Sequence, residues 1–435
     1  MKIDKNDIFN ILEDWNFWGQ IPHLGIKRQA YLEKCQAILT KSNQILVLTG
    51  SRRSGKSFIL KQLIVGLIQG KQLHPHNTLL VNFEDPRWIS LGPDGPDILQ
   101  QIYNVYIERL SPKGPIYIFL DEVQEVENWE RWVNSVHELK KARICITGSN
   151  AKLLSQDLST LLTGRSLTVQ VFPLSFQEIL LFKPQHEPAT VFDQYLETGG
   201  YPDVVLTEDP HLRKELLLAY YTDILEKDLI KRFKIRKQEK LKQLTRYYLS
   251  HIGSHITYRS LEKYLELTPD TLEHYSGHLE SSYLIKFLSR FSYKLKEIEK
   301  SSRKIYAIDH ALATAIGYRA MDGSSQVLEN IVFVELLRSK LNNPSLEVYY
   351  YWTEQKHEVD FLVKENETVR DFIQVCWNPT HPETMKREIR SLLQSLKRFQ
   401  LKTGIVLTYG YESELKEGDI LLRFIPVWKW CLKSS

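Results

Sequence analysis

The octapeptide Gly50-Ser51-Arg52-Arg53-Ser54-Gly55-Lys56-Ser57 constrains this chain more than any other segment, because it fits the pattern GxxxxGK[ST] at a strand-to-helix junction. Ile45-Leu46-Val47-Leu48 precedes it as a short apolar run, and Phe58-Ile59-Leu60, Leu63-Ile64 and Leu67-Ile68 follow at helical spacing. Such a pattern predicts a buried strand feeding a helix. A glycine-rich turn there gathers backbone N–H groups where the helix N-terminus already opposes negative charge. The N–H groups from Arg52 to Lys56 are expected to cradle phosphates, Lys56 to reach the β and γ phosphates, and Ser57 to ligate Mg2+. The segment therefore predicts nucleotide binding.

The runs that follow predict the rest of a sheet. Thr78-Leu79-Leu80-Val81-Asn82-Phe83, Pro115 to Leu120, Arg143 to Thr147 and Leu167 to Val171 read as strands. Ile98 to Leu110, Trp129 to Leu139 and Ala151 to Leu162 read as helices between them. Strands alternating with helices imply an α/β domain with a parallel sheet covered on both faces. The strand from Pro115 ends in Asp121-Glu122, an acidic pair placed where a P-loop enzyme uses one. Asp121 is expected to support the Mg2+ shell and Glu122 to orient and deprotonate the attacking water. A solvated acidic turn is the structural alternative.

A chain of 435 residues is too long for one ordinary core and predicts two to four domains. A formal net charge of +4 permits a nucleic-acid surface without requiring one. Cys35, Cys145, Cys376 and Cys431 have neither metal-ligand nor disulfide-framework spacing, which predicts a reducing, cytoplasmic setting. The N-terminal residues lack the apolar core of a signal peptide, and no run is long enough to span a bilayer, so no membrane partner is expected.

Beyond the sheet, residues 193–235 read as helical, punctuated by Gly199-Gly200-Tyr201-Pro202. Leu241 to Ser250, Arg259 to Leu265 and Asp270 to Ser281, followed by Ile285 to Leu288, resemble a winged helix, with Thr268-Pro269-Asp270-Thr271 capping the second helix of its helix-turn-helix. Its presumed reading helix carries Asp270, Glu273 and Glu280, poor chemistry for a major groove. The basic run from Lys227 to Lys242 either follows a nucleic-acid backbone or is a solvated helix face, since Glu226, Asp228 and Glu239 interrupt it. Trp15, Phe17 and Trp18 suggest a packed N-terminal anchor or a subunit contact. Leu328 to Leu341 reads as a helix and Val348 to Trp352, Val359 to Val363, Phe372 to Val375 and Gly404 to Thr408 as strands.

Residues from about 20 to 205 resemble a bacterial or archaeal AAA-type ATPase. Arg28, Gly50 to Ser57, Leu120-Asp121-Glu122-Val123-Gln124, Ile146-Thr147-Gly148-Ser149, Gly164-Arg165 and Phe172 to Phe176 carry the resemblance. It points to the family whose ATPase domain precedes a C-terminal domain of unknown function. It implies ATP rather than another nucleotide, Arg28 near the loop, and Ser149 or Asn150 as a γ-phosphate sensor unless they merely cap the next helix. It also implies that Arg165 serves a neighbouring subunit as an arginine finger, so hydrolysis would need a homo-oligomer; a surface turn is the alternative. Gly200-Tyr201-Pro202 is similar to the element with which related ATPases place a proline against adenine, or else is a helix-breaking turn.

The C-terminal residues Leu328 to Leu336 and Glu358-Val359-Asp360-Phe361 look like that family's second domain, whose fold is similar to the restriction-endonuclease core. That likeness would put Glu335 and Asp360 at the first two metal-binding positions. Gln374-Val375-Cys376 stands where a Glu-x-Lys triplet is expected, and cysteine cannot replace the lysine. The expected organisation is an AAA-type ATPase core over 1–192, a helical lid over 193–236, a winged helix over 237–318, and a degenerate α/β nuclease-like domain over 319–435. The expected function is a Mg2+-dependent ATPase coupled to DNA or to a protein partner. An ATP-licensed nuclease and a nucleotide-gated switch are the rivals.

Overall fold

The computed structural model describes residues 4–70, 73–90, 95–148, 162, 164–318, 325–380 and 382–433. The chain divides into two compact units, Met1–Val171 and Phe172–Ser435.

In the first unit, β1 (Ile45–Thr49), β2 (Thr78–Asn82), β3 (Tyr117–Asp121), β4 (Arg143–Gly148) and β5 (Ser166–Gln170) form one sheet in the order β2-β3-β4-β1-β5. Every pairing in it is parallel. Side chains alternate across a strand, and both sets are buried in β1 to β4, whereas the edge strand β5 exposes Leu167 and Thr168. Ile45, Val47, Leu79, Val81, Ile118, Leu120, Ile144 and Ile146 share a core with residues of the Lys5–Trp15, Pro96–Leu110 and Trp129–Glu138 helices. The alternate residues Leu46, Leu48, Leu80, Phe119 and Cys145 are buried as well. Each fully buried aliphatic side chain contributes about 1.5–3 kcal/mol.

The N-terminal aromatics form a packed anchor: Trp15 Nε1 donates to Asp85 at 2.9 Å, Trp18 Nε1 to the Thr78 carbonyl at 2.7 Å, and Trp18 stacks on Phe9. The Ala151–Leu162 expectation lies largely outside the described residues.

The second unit opens with Ser175 and Glu178 in a reciprocal capping box, a device that satisfies two otherwise orphaned N–H groups. Helices Pro188–Thr198, Pro202–Leu206 and Pro210–Asp223 follow, the last continuing into a π-helical stretch, Ile224–Lys231. Helices Gln238–Leu249, Tyr258–Leu265 and Pro269–Ser281 accompany a small antiparallel sheet of β6 (His255–Ile256), β7 (Ile285–Leu288) and β8 (Arg303–Ala307), ordered β6-β8-β7. The Ser325–Ser339 helix leads to a larger sheet of β9 (Leu346–Trp352), β10 (Glu358–Glu365), β11 (Thr368–Cys376), β12 (Thr403–Thr408), β13 (Ser413–Glu417) and β14 (Ile420–Pro426). Its order is β13-β14-β12-β11-β10-β9, with β11, β12 and β14 parallel and the other pairings antiparallel.

Three lysines of the basic run are ion-paired on helix surfaces: Lys227 meets Asp223 at 3.0 Å, Lys240 meets Glu266 at 3.5 Å, and Lys242 meets Glu239 at 3.2 Å. The glycine pair is explained by packing. A Cβ on Gly199 would lie 2.2 Å from Asp309 Oδ1 and one on Gly200 2.2 Å from the Leu174 carbonyl. Gly200 N–H donates to Asp309 Oδ2 at 2.7 Å, and Asp309 also caps the His310–Ile316 helix.

The backbone at the end of β8 is tied to the Ser325–Ser339 helix by the Asn330 side chain. β6 pairs with β8 only at Arg303 and Lys304, so the outer backbone edge at Ala307 needs another partner. Asn330 supplies it, accepting from Ala307 N–H at 2.8 Å and donating to its carbonyl at 2.9 Å, with the side chain fully buried. Asn330→Ala leaves both backbone groups unsatisfied and is expected to destabilise the second unit by about 3 kcal/mol. Calorimetric unfolding checks this, and a loss well under about 1 kcal/mol would mean that water replaces the amide.

Candidate functional site

β1 delivers the chain to the loop, and Gly50 makes the first turn with φ 148°. A Cβ there would stand 2.2 Å from the Val171 carbonyl oxygen, so only glycine passes. Arg53 and Gly55 also have positive φ, 63° and 96°, the alternation of handedness that makes an anion-binding nest of backbone N–H groups. Arg28 braces the loop from its buried side: Nη1 donates to the Ser54 carbonyl at 2.9 Å, and the guanidinium lies 4.5 Å from the Tyr31 ring centroid. Arg52 pairs with Glu84 at 3.0 Å.

Lys56 and Ser57 begin the Lys56–Gln69 helix. Lys56 Nζ donates to the carbonyls of Gly50 at 3.2 Å and Ser51 at 3.1 Å, and lies 3.7 Å from Glu122 Oε1. Ser57 Oγ donates to Asp121 Oδ1 at 3.0 Å. The two acids are buried at the end of β3, and Glu122 holds a left-handed φ of 51°, a conformation that costs a non-glycine residue about 1–2 kcal/mol. Thr147, near the end of β4, ties the pair together. Its hydroxyl donates to Asp121 Oδ1 and accepts from Glu122 N–H at 3.0 Å. Gln124 Nε2 donates to Glu122 Oε2. Burial pushes the Asp121 carboxyl above its ordinary value, while the Thr147 and Ser57 hydrogen bonds and the Lys56 charge oppose that rise.

These groups fit a Mg2+–nucleoside triphosphate. Mg2+ takes hard oxygen ligands, which Ser57 and Asp121 supply side by side. Ser54 Oγ is buried without a hydrogen-bond partner among the described residues, a donor available to a phosphate oxygen.

Residues 42–180 match the family described as AAA domain, 189–322 the domain of unknown function DUF8612, and 324–430 the domain of unknown function DUF4143. The uncharacterized protein MJ1544 of Methanocaldococcus jannaschii is 31% identical over 90% of this chain and 88% of its own. An uncharacterized protein of Haemophilus influenzae is 30% identical over 93% and 98%. The chain belongs to this family. Its first unit carries a P-loop ATPase domain of AAA type. Among solved structures, Aeropyrum pernix ORC1 in complex with DNA aligns at 13% identity over 71% of this chain and 95% of that one, with a TM-score of 0.33, below the level of a shared overall fold.

The remaining candidates fall in different places. Ser149 and Asn150 lie outside the described residues. Arg165 is 42% exposed in its side chain and pairs with Glu138 at 2.6 Å. Its carbonyl accepts from Ile45 N–H, at the start of β1, whereas the loop leaves from the end of that strand. The separation is roughly 13 Å along the strand, beyond an arginine's reach to its own loop. Pro202 belongs to the second unit, where it opens the Pro202–Leu206 helix.

The nuclease-like constellation requires a correction. Asp360 and Gln374 face each other across β10 and β11, with Asp360 N–H donating to Gln374 Oε1 at 3.4 Å. Glu335 is not with them; it pairs with Arg338, which in turn donates to the Pro173 carbonyl at 2.8 Å. The helix residue that joins Asp360 is Glu329, six positions earlier, and six residues turn a helix through roughly 240°. A lysine joins them too, from β8. Lys304 Nζ lies 2.5 Å from Glu329 Oε1, 2.8 Å from Glu358 Oε1 and 3.2 Å from Asp360 Oδ1, with 2% of its side chain exposed. Burial opposes charge on Lys304, yet the surrounding carboxylates outweigh it and hold the ammonium well above its ordinary range. Burial, reinforced by Glu329, pushes the Asp360 carboxyl up.

The sequence reading assigned no role to Thr147 and Gln124, which it noted only within segments that carry the resemblance, and it missed Glu329 and Lys304. A polar threonine closing an otherwise apolar strand was the available signal for Thr147, and the position of Gln124 two residues after Glu122 for the second; no comparable pattern marked Glu329 and Lys304. Arg28→Ala, which deletes a charged hydrogen bond to the loop backbone, is expected to weaken ATP binding about tenfold. Titration with a fluorescent ATP analogue checks it, and an unchanged Kd would show that the loop holds its shape unaided.

Proposed function

We propose that this chain is a Mg2+-dependent ATPase that acts as a homo-oligomer and couples its ATP cycle to DNA. The observation that supports it best is the convergence of Lys56, Ser57, Asp121 and Glu122 at one end of the sheet, with Thr147 fixing both acids. The loop N–H groups and Lys56 bind the phosphates, and Ser57 and Asp121 hold Mg2+. When bound, the metal offsets charge on the phosphate oxygens. Glu122 accepts the proton of the attacking water, for which its carboxylate exchanges the Gln124 hydrogen bond for one to water. Arg165 leaves Glu138 to reach the phosphates of a neighbouring subunit, a role consistent with its exposure and its distance from its own loop.

The rest of the chain is read as the coupling apparatus. Residues 193–236 serve as a lid, with Pro202 as the adenine contact. Residues 237–318 are read as a winged helix, on three helices and a three-stranded antiparallel sheet. Its DNA contact is assigned to the segment between β7 and β8, which includes the short Leu295–Lys300 helix and exposes Tyr293, Lys294, Lys296 and Lys300, because the Pro269–Ser281 helix exposes Asp270 and Glu273. Residues 319–435 are read as a nuclease-like module that does not cleave, on their mixed sheet and the Gln374-Val375-Cys376 sequence.

Steady-state ATP hydrolysis at several protein concentrations, with and without DNA, tests the proposal. Lys56→Ala is expected to abolish nucleotide binding. Glu122→Gln should retain ATP but turn it over 10²–10⁴-fold more slowly, on the order of the loss of a general base. Thr147→Val should cost roughly 10–100-fold, and Arg165→Ala on the order of 10³-fold. Turnover indifferent to Arg165, to concentration and to DNA would instead favour a nucleotide-gated switch acting on a protein.

A further inference from the structure

Gln124 sits in the short 3-10 turn Val123–Glu125 that follows Glu122, anchored by the fully buried Val123. The left-handed φ of Glu122 bends the chain back on itself. Glu125 N–H then donates to the Glu122 carbonyl at 3.1 Å and Val126 N–H to the Val123 carbonyl at 3.0 Å. The turn brings the two side chains together, and Gln124 Nε2 donates to Glu122 Oε2. An ionised carboxylate only accepts, so the NH2 end of the amide is the end that faces Glu122. The other end, Gln124 Oε1, is buried and has no hydrogen-bond partner among the described residues. The two ends of an amide stand roughly 2.3 Å apart, so an unused acceptor lies beside the general base. Buried acceptors that lack a protein partner are ordinarily satisfied by water.

An attacking water has two protons to place. The base takes one, and the other needs an acceptor if the oxygen lone pair is to stay aimed at phosphorus rather than turn about a single hydrogen bond. Glutamine suits both states of such a site because its amide carries a donor and an acceptor on one pivot. We propose that Gln124 is the second water-holding group of the ATPase site: its amide turns to release Glu122 Oε2, and its Oε1 accepts a hydrogen bond from the water that Glu122 deprotonates. The inference rests on the reading of Glu122 as general base and adds the group that orients its water. In the step itself one O–H bond of the water breaks and its proton passes to Glu122. The electron pair of the oxygen forms the bond to the γ phosphorus, and the bond from that phosphorus to the bridging oxygen breaks, its pair leaving with ADP. The second O–H bond stays intact, donated to Gln124 Oε1 throughout.

Two variants of the full-length chain separate the ends of the amide. Gln124→Met keeps the length and removes donor and acceptor alike, whereas Gln124→Glu keeps an acceptor and removes the donor. Gln124→Met is expected to lower kcat about 10–100-fold while leaving KM for ATP within about twofold. Its affinity for ADP with beryllium fluoride, a mimic of the bound triphosphate that also reports a folded site, should stay at the wild-type level. Its affinity for ADP with aluminium fluoride, which mimics the transition state with the attacking oxygen in place, should fall about tenfold. Gln124→Glu should turn ATP over at least roughly tenfold faster than Gln124→Met, because its carboxylate still takes the second proton of the water. A purely structural role predicts that both fluoride complexes weaken together. An unchanged kcat in Gln124→Met, or a Gln124→Glu chain no faster than Gln124→Met, would overturn the proposal; the second result would mean that the amide acts only as a donor to Glu122. Glu122→Gln is the reference. Wild-type turnover in Glu122→Gln removes the general-base reading and this inference with it, whereas a slow Glu122→Gln beside an unaffected Gln124→Met overturns the Gln124 role alone.

Discussion

The hydrogen bond from Val171 N–H to the Thr49 carbonyl, 2.7 Å long, closes the end of β5 against the end of β1 and leaves Gly50 directly under the Val171 carbonyl. With no room for a Cβ, the loop has one path. That path sets where the Lys56–Gln69 helix begins, and hence where Lys56 and Ser57 project. The acids they meet come from β3, two strands away in the order β3-β4-β1. The intervening strand must therefore carry whatever joins the two halves of the site. Thr147, one residue before the end of β4, does so with a single hydroxyl that serves Asp121 as donor and Glu122 N–H as acceptor. A hydroxyl is the smallest side-chain group able to do both.

The second unit depends on polar contacts of another kind. Asn330 extends the β8 edge, Lys304 crosses from that sheet into the carboxylates of β10, and Asp309 fastens the Gly199-Gly200 turn. Around them the packing is aromatic: Tyr306 stacks on Phe333, and Phe333 on Phe361. Buried ion pairs contribute little net stability against apolar replacements but lose several kcal/mol when broken, about 3–5. Their effect here is to select one docking of the β8 sheet on the Ser325–Ser339 helix, because a shifted arrangement would strand charges that the apolar contacts alone would tolerate.

Strands of the first unit were legible because parallel strands buried on both faces read as unbroken apolar runs, as in Ile45–Leu48 and Ile116–Leu120. The same logic explains the omissions. β8 begins Arg303-Lys304, charges that mask a strand unless their partners are known, and β13 reads Ser413-Glu414-Leu415-Lys416-Glu417 at the sheet edge. The sequence reading put Glu335, without considering Glu329, beside Asp360 for a different reason. From Val327 to Leu336 the helix is buried on all sides, so it has no polar stripe to indicate which glutamate faces which neighbour. At the nucleotide site the motif residues were legible because their spacing is imposed by local backbone chemistry, whereas Thr147 acts across strands and its role follows only from the sheet order.

The two buried acidic sites answer one electrostatic problem in opposite ways. A carboxylate out of water needs donors or a cation. Asp121 has hydroxyls, from Ser57 and Thr147, and a hydroxyl can rotate its proton away and present a lone pair to an incoming metal. Asp360 has an ammonium and a backbone N–H, neither of which has a lone pair to offer. The first carboxylate is satisfied by groups that can also act as acceptors; the second is satisfied by donors alone. Buried carboxylates on the two sheets are thus satisfied in chemically different ways, and the difference lies in the donors rather than in the acids.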